Sequence, residues 1–163
     1  MPENKLIAAV QDLCSREIWF VVVGGLAAAL NGAPIHTFGI SLVCSRDPEN
    51  IQRLLDFLRA AHAIFRIQPE RRLRPNESDL AGGGHLNLLT RYGPVDLLGT
   101  IGNHLGYSDL LPHSNEMDIG EGLRIRVLDL ETVIAIKEQL GSEKDLAALP
   151  ILYQTLRQKK KYI

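Results

Sequence analysis

The chain has 163 residues, which is long enough for one folded domain with a substantial core and short for two. Hydrophobic residues make up 45% of it and charged residues 23%, a composition that excludes a disordered or fibrous protein. The formal net charge of −1 gives the whole chain no preference for nucleic acid or for an anionic membrane.

The first half of the sequence predicts alternating helices and strands. Residues 18–23 form the continuous β-branched and aromatic run typical of a strand buried on both faces. The pair Gly24-Gly25 ends that strand, and Pro48 opens a later helix. The predicted elements are a helix over residues 4–15, a strand over 18–23, a short helix over 26–30, a strand over 37–44, a helix over 48–62 and a short strand over 63–67.

The second half predicts a strand pair, further strands and two final helices. Two prolines and three consecutive glycines make residues 68–84 mostly loop. Asp129 can cap a helix that stops at Gly141, and Pro150 is expected to kink or divide the last helix, which starts near Ser142. The other predicted elements are paired strands over 85–90 and 94–98, an irregular segment over 103–122 with a short edge strand over 116–119, and a strand over 123–128.

This order predicts an α/β protein of the α+β kind, with a small mixed β-sheet flanked by helices and a helical C-terminal layer. We expect a single domain over residues 1–163, with its core over about 16–128 and its C-terminal helices over about 129–160.

Compartment is indicated by the cysteines and by the apolar runs. Cys14 and Cys44 are the only cysteines, and no metal-ligand spacing includes them. Two isolated thiols are typical of a reducing cytosol. The N-terminus lacks the pattern of a secretory signal, and residues 18–23, the longest apolar run, are too few to span a bilayer. We therefore expect a cytoplasmic protein with no membrane partner.

The first candidate site is the glycine pair Gly24-Gly25 between a strand and a helix. A dinucleotide-binding fingerprint and a Walker A motif are both absent from the chain. Backbone N–H groups at this turn could contact a phosphate, or the glycines could serve only a tight turn from strand to helix.

The residues around this turn resemble the opening motif of the nucleotidyltransferase superfamily, which includes DNA polymerase β. The resemblance rests on residues 24–27 (Gly-Gly-Leu-Ala), 32–34 (Gly-Ala-Pro) and 37–43. It continues through the strand pair that ends at Asp96 and through a C-terminal helical motif, so that it covers about residues 18–157. The minimal bacterial nucleotidyltransferases and the AbiEii-type toxins are the most similar members.

The resemblance implies three metal-binding carboxylates, of which this chain has one. In the family, two aspartates in D-x-D spacing share one face of a strand, and a third acidic residue lies on a later strand. Gly39 and Ser41 stand at the first two positions and Asp96 at the third, so the formal charge falls from −3 to −1. A pair of Mg²⁺ ions that handles a nucleoside triphosphate needs such an oxygen cage. We therefore expect no metal or other cofactor, with Mg²⁺ and a nucleoside triphosphate only if the protein is active.

Basic residues expected beside that cage are missing as well. Ile35 and Phe38 stand where relatives often carry them. Asp96 itself allows three interpretations: a former ligand hydrogen-bonded to Ser41 or to the Gly24-Gly25 amides, an ion pair with Lys137 or an arginine, or a rearranged metal site.

Lys137 and the pair Lys144-Asp145 match positions that relatives use near the nucleotide. The resemblance thus makes Gly24, Gly25, Ser41, Lys137 and Asp145 the candidate nucleotide-binding residues. The other interpretation is that they are solvated helix charges, with Asp145 capping its own helix.

Other basic residues suggest weaker alternatives. The loop arginines Arg71, Arg72 and Arg74 could contact a phosphate backbone, but a solvated loop is the simpler interpretation. The basic C-terminal segment, residues 157–161, suits a helix end. None of the five histidines has a metal-ligand spacing.

Three functions remain open from the sequence. The first is an inactive nucleotidyltransferase-like module that binds a nucleotide or a protein partner. The second is an active enzyme, with a rearranged metal site, that transfers a nucleotide to protein or RNA as a toxin does. The third is a scaffold or homodimer with no ligand. Apart from an RNA acceptor in the second case, we expect no nucleic-acid partner.

Overall fold

The computed structural model describes residues 2–161, with side chains from residue 5 onward. The fold is α+β, as the sequence predicts, with helices around a mixed sheet. The helices are α1 (Pro2–Ser15), α2 (Gly24–Leu30), α3 (Pro48–Ala60), α4 (Glu77–Ala81), α5 (Tyr107–Leu110), α6 (Leu130–Leu140) and α7 (Glu143–Lys161). The strands are β1 (Phe20–Val23), β2 (Ile40–Cys44), β3 (Ile64–Phe65), β4 (Leu86–Thr90), β5 (Gly93–Leu97), β6 (Ser114–Asp118) and β7 (Arg124–Leu128).

The seven described strands form one sheet in the order β3-β4-β5-β2-β1-β7-β6. The pairs β2–β5 and β1–β7 are parallel, and the other neighbours are antiparallel. The predicted strand pair is the β4–β5 hairpin, and the predicted edge strand is β6. β2 therefore lies between β5 and β1, near the middle of the sheet.

The core is continuous from α1 to α7. Buried aliphatic and aromatic side chains run from Leu6 to Leu152, and β1 is buried along its whole length. α6 and α7 pack against each other, and α2 contacts both β2 and α6. The predicted helical C-terminal layer is therefore present, and it faces the end of β1 and the start of β2 through α2.

Three boundaries differ from the sequence prediction in ways that matter below. β2 begins at Ile40 and not at residue 37, so Gly39 precedes the strand. α2 begins at Gly24, directly after β1. The segments predicted to be loop or irregular contain α4 and α5, and α4 is held by a capping box between Asn76 and Asp79.

Pro150 does not divide the last helix, and this prediction was wrong. α7 runs from Glu143 through Pro150 to its end. Proline removes the hydrogen bond to the carbonyl of residue i−4, here Leu146. Both residues are exposed, so water can replace the missing bond.

Asp129 and Gly141 delimit α6 as predicted. The Asp129 carboxylate accepts a hydrogen bond of 2.7 Å from the Thr132 backbone N–H, and Gly141 ends the helix in the left-handed region at φ 64°. Among the described residues, no helix is both long enough and apolar enough to span a membrane.

A buried asparagine joins the beginning of β1, the end of β2 and α3. Asn50 is fully buried, and its side-chain oxygen accepts from the Trp19 backbone N–H at 2.7 Å. Its amide group donates to the carbonyls of Trp19 at 3.0 Å and Ser45 at 2.7 Å. These bonds satisfy backbone groups that flank the sheet ladder.

Asn50→Ala should lower the free energy of unfolding by about 2–4 kcal/mol, because it leaves buried backbone groups without partners. Denaturant unfolding followed by circular dichroism measures this change. Gln52→Ala, at an exposed position of the same helix, is the control and should change stability by less than about 0.5 kcal/mol. Equal stabilities of the two variants would contradict the role given to Asn50.

Candidate functional site

One cleft of about 680 Å³ brings most of the predicted site residues together. It lies where the residues before β2 meet β5, α6 and α7. Gly25, Gly39, Ser41, Asp96, Lys137 and Asp145 all line it. Lys144, which the sequence analysis matched to a position near the nucleotide, lines the cleft too. The residues that sequence reasoning did not assign to the site, and that also line the cleft, are Ile35, His36, Thr37, Phe38, Arg66, Pro94, Ala148 and Leu152.

Ser41 and Asp96 are direct neighbours on parallel strands. Ser41 pairs in register with Asp96 between β2 and β5. Parallel strands lie about 4.8 Å apart, and residues in register point to the same face. Two of the three predicted cage positions are therefore adjacent, as the resemblance implies.

The Asp96 carboxylate is paired with an arginine. Arg66 Nη2 donates to Asp96 Oδ1 at 2.7 Å, and Arg66 Nη1 donates to the Leu88 carbonyl at 2.9 Å. Of the three interpretations left open by the sequence, the structure shows the ion pair with an arginine. Asp96 is not enclosed as the apolar run around it suggests, since its side chain is 32% exposed.

Position 39 has no room for a side chain. A Cβ atom on Gly39 would lie 2.6 Å from the carbonyl oxygen of Pro94 and 2.9 Å from its Cβ. Real Cβ atoms do not approach backbone this closely, so either chain would have to move. The first carboxylate of the D-x-D motif is thus excluded sterically as well as absent from the sequence.

The residues present do not fit a pair of Mg²⁺ ions. Asp96 offers one carboxylate, which Arg66 already engages, Ser41 offers a neutral hydroxyl, and Gly39 offers no side chain. Hard cations need several anionic or carbonyl oxygens arranged together. Within residues 5–161, no group of three or more His, Cys, Asp or Glu side chains could hold a metal.

The two glycines of the strand–helix turn face different residues, Gly24 facing Ser41 and Gly25 facing Thr37. Gly25 lines the cleft, and a Cβ there would be 3.3 Å from the Thr37 hydroxyl. Gly24, in the left-handed region at φ 66°, lines a smaller apolar cavity of about 160 Å³. That cavity adjoins the cleft through Ser41, Lys137 and Asp145, which line both.

Lys137 and Asp145 form an ion pair across the junction of α6 and α7. Lys137 Nζ lies 3.4 Å from Asp145 Oδ1, and the Asp145 backbone N–H donates to the Ser142 hydroxyl at 3.1 Å. The hydrogen bond from the Ser142 hydroxyl, and then Lys137, hold the pKa of Asp145 below its ordinary value, so it is ionised at neutral pH. The predicted local role of Asp145 in its own helix is present, and the pair also lines the cleft.

The charged residues that line the cleft leave it cationic. Arg66, Lys137 and Lys144 stand against Asp96 and Asp145, a net charge of +1 with His36 neutral. Lys144 is exposed and makes no ion pair with another described residue. Mixed charge with a cationic excess favours an anionic ligand over a cation.

The weaker candidates from the sequence lie outside the cleft. The arginines of the 68–84 segment, Arg71, Arg72 and Arg74, are exposed. In the basic C-terminal segment, Lys159 donates to the Asn31 side chain at 2.8 Å and so joins α7 to the end of α2. Both cysteines are free thiols, and burial raises the pKa of Cys44 to about 12, so it is no nucleophile at neutral pH.

Among the unassigned residues of the cleft, Arg66 and Phe38 matter most: sequence reasoning did not consider Arg66, and it noted Phe38 only as the absence of a basic residue. Arg66 is 30 residues from Asp96 in the chain, and no local motif links them. The one available signal is its place directly after the short strand that pairs with the Asp96 hairpin. Phe38 is 80% exposed, which no sequence pattern indicates for a phenylalanine.

Gly39→Ala should lower the free energy of unfolding by about 1–3 kcal/mol, because the added Cβ collides with Pro94. Denaturant unfolding of the wild type and of the variant measures the loss. The matched control is Gly84→Ala, where an added Cβ meets no atom within 4 Å and stability should change by less than about 0.5 kcal/mol. A Gly39→Ala variant as stable as wild type would show that position 39 can accept a side chain.

Comparison with protein families and with curated proteins gives no relative of this chain. Neither a protein-family model nor a curated protein matches the chain. The function is therefore inferred from the residues of the cleft and from their contacts.

Proposed function

We propose that this protein is a catalytically inactive, nucleotidyltransferase-like module that binds a nucleotide in its cleft without a metal ion and acts in regulation. The Arg66–Asp96 ion pair is the observation that carries this proposal. The carboxylate that the resemblance assigns to a metal is neutralised by a guanidinium, and the two positions beside it carry no charge.

The charge of the cleft supports an anionic ligand. Guanidinium groups bind phosphate oxygens through paired N–H donors, and Arg66 uses only part of its five donors on Asp96 and Leu88. Lys144 supplies a cation without a partner among the described residues. Together these groups can neutralise phosphate charge that a metal neutralises in an active enzyme.

The size of the cleft also suits a nucleotide. Its volume of about 680 Å³ lies within the range of about 300–1,000 Å³ that small-molecule sites occupy. The apolar side chains of Ile35 and Phe38 line the same cleft as the charged groups, so one ligand can contact both kinds of surface.

A cytoplasmic location is part of the proposal. Free cysteines and a nucleotide ligand are both compatible with the cytosol. Regulation would pass to a protein partner or to a second copy of this chain.

Two substitutions in the central ion pair test the proposal because they should act in opposite directions. In EDTA, Arg66→Met should weaken ATP binding at least tenfold, since a phosphate contact is lost. Asp96→Asn should strengthen binding about fivefold, since a negative charge leaves the cleft and Arg66 is freed. Isothermal titration calorimetry measures both affinities.

Arg59→Met, on an exposed position of α3 outside the cleft, is the matched control and should bind ATP as the wild type does. Failure of the wild type to bind ATP, GTP, CTP or UTP, with or without Mg²⁺, would eliminate the proposal.

The enzyme hypothesis predicts a different pattern. An active nucleotidyltransferase with a rearranged metal site would transfer label from a nucleotide to protein or RNA in the presence of Mg²⁺, and Asp96→Asn would abolish the transfer. We expect no transfer from the wild type in a lysate supplied with labelled nucleotides. Mg²⁺-dependent labelling that Asp96→Asn removes would overturn the assignment as an inactive protein.

A further inference from the structure

Phe38 is the most exposed of the large hydrophobic side chains in the described part of the chain. It is 80% exposed, and it lines the cleft together with the three cationic side chains. A phenylalanine left in water keeps its apolar surface available for a contact that buries it. Its position at a charged cleft, and not on an apolar patch, indicates what kind of contact that is.

The backbone that carries Phe38 is fixed on both sides. The Thr37 hydroxyl donates to the Gly39 carbonyl at 2.8 Å, bridging across Phe38, and Gly39 lies against Pro94 with no space for a Cβ. Phe38 is therefore presented from a braced turn. A braced backbone loses little further conformational freedom when a ligand covers the side chain that it carries.

An aromatic side chain that shares a cleft with Arg66 and Lys144 matches a ligand that is aromatic at one end and anionic at the other. We propose that Phe38 is the stacking platform for the base of a metal-free purine nucleoside triphosphate, whose phosphates contact Arg66 and Lys144. This inference rests on the proposed function and specifies the ligand of the same cleft. Stacking of a base on an aromatic side chain contributes about 1–3 kcal/mol and requires only the π-face of the base.

Other exposed hydrophobic residues do not share this setting. Ile67 is 75% exposed, but it does not line the cleft. The apolar cavity beside Gly24 is lined mostly by aliphatic side chains, which offer no π-face to a base. Phe38 is the one phenylalanine, tyrosine or tryptophan among the described residues that line the cleft.

Calorimetry in EDTA with two ligands separates the base contact from the phosphate contact. Phe38→Ala should weaken ATP binding about tenfold and leave binding of inorganic tripolyphosphate within twofold of wild type. Phe38→Leu should bind ATP as weakly as Phe38→Ala does, because it loses the π-face although it keeps apolar area. Phe38→Trp should bind ATP at least as well as wild type. UTP, with its smaller base, should bind more weakly than ATP.

The controls guard against a structural effect. Ile67→Ala should bind both ligands as wild type does, and Phe38→Ala should unfold at the same denaturant concentration as wild type because the side chain is exposed. A single-tryptophan variant, Trp19→Phe with Phe38→Trp, provides a direct reporter, since Trp19 is the only tryptophan of the chain. Its fluorescence should be quenched by ATP and not by tripolyphosphate.

Different results would contradict the proposed function and the stacking role of Phe38. Wild-type protein that binds none of ATP, GTP, CTP and UTP would overturn the proposed function and this inference with it. ATP binding that Phe38→Ala leaves unchanged, or that Phe38→Leu retains in full, would overturn the stacking role alone. An equal loss of ATP and tripolyphosphate binding in Phe38→Ala would also overturn it, since Phe38 would then support the cleft without contacting a base.

Discussion

The close approach of Gly39 to Pro94 constrains the cleft more than any other contact. The chain enters β2 at this point, against the backbone of β5, and a Cβ at position 39 would lie 2.6 Å from the Pro94 carbonyl oxygen. β2 begins after this contact, at Ile40. Its register with β5 places Ser41 beside Asp96. The contact also braces the turn that presents Phe38 at the cleft. A carboxylate side chain at residue 39 and this packing exclude each other.

The Arg66–Asp96 pair gives the cleft its electrical character. An isolated carboxylate would attract cations, but the guanidinium at 2.7 Å cancels that charge and adds free donors. Removal of Arg66 or of Asp96 would leave the charge of the other residue without its partner. Substitutions of the two residues therefore have opposite effects on the binding of an anion. Lys137 is similarly paired with Asp145, so the cationic excess comes from Lys144. The arrangement is suited to binding phosphate and lacks the oxygen ligands that phosphoryl chemistry through Mg²⁺ requires.

Local signals predicted the fold well where they are strong, and long-range contacts decided the rest. The run before Gly24, the β4–β5 hairpin and the caps at Asp129 and Gly141 follow from neighbouring residues. The start of β2 and the continuity of α7 through Pro150 depend on packing and solvent exposure, which no local pattern encodes. Most of the positions that the sequence analysis singled out meet in one cleft, because the residues before β2 converge there with β5, α6 and α7. Arg66 was not predicted, since its partner lies on another strand and the pair forms only in the folded chain.

We propose above all that Arg66, and no metal ion, contacts the phosphates of the ligand. A crystal structure of the protein grown with ATP and Mn²⁺, with anomalous data at the manganese edge, tests it most directly. We expect triphosphate density against Arg66 and Lys144, with no anomalous peak beside Asp96. A manganese peak between Asp96 and the triphosphate would contradict it.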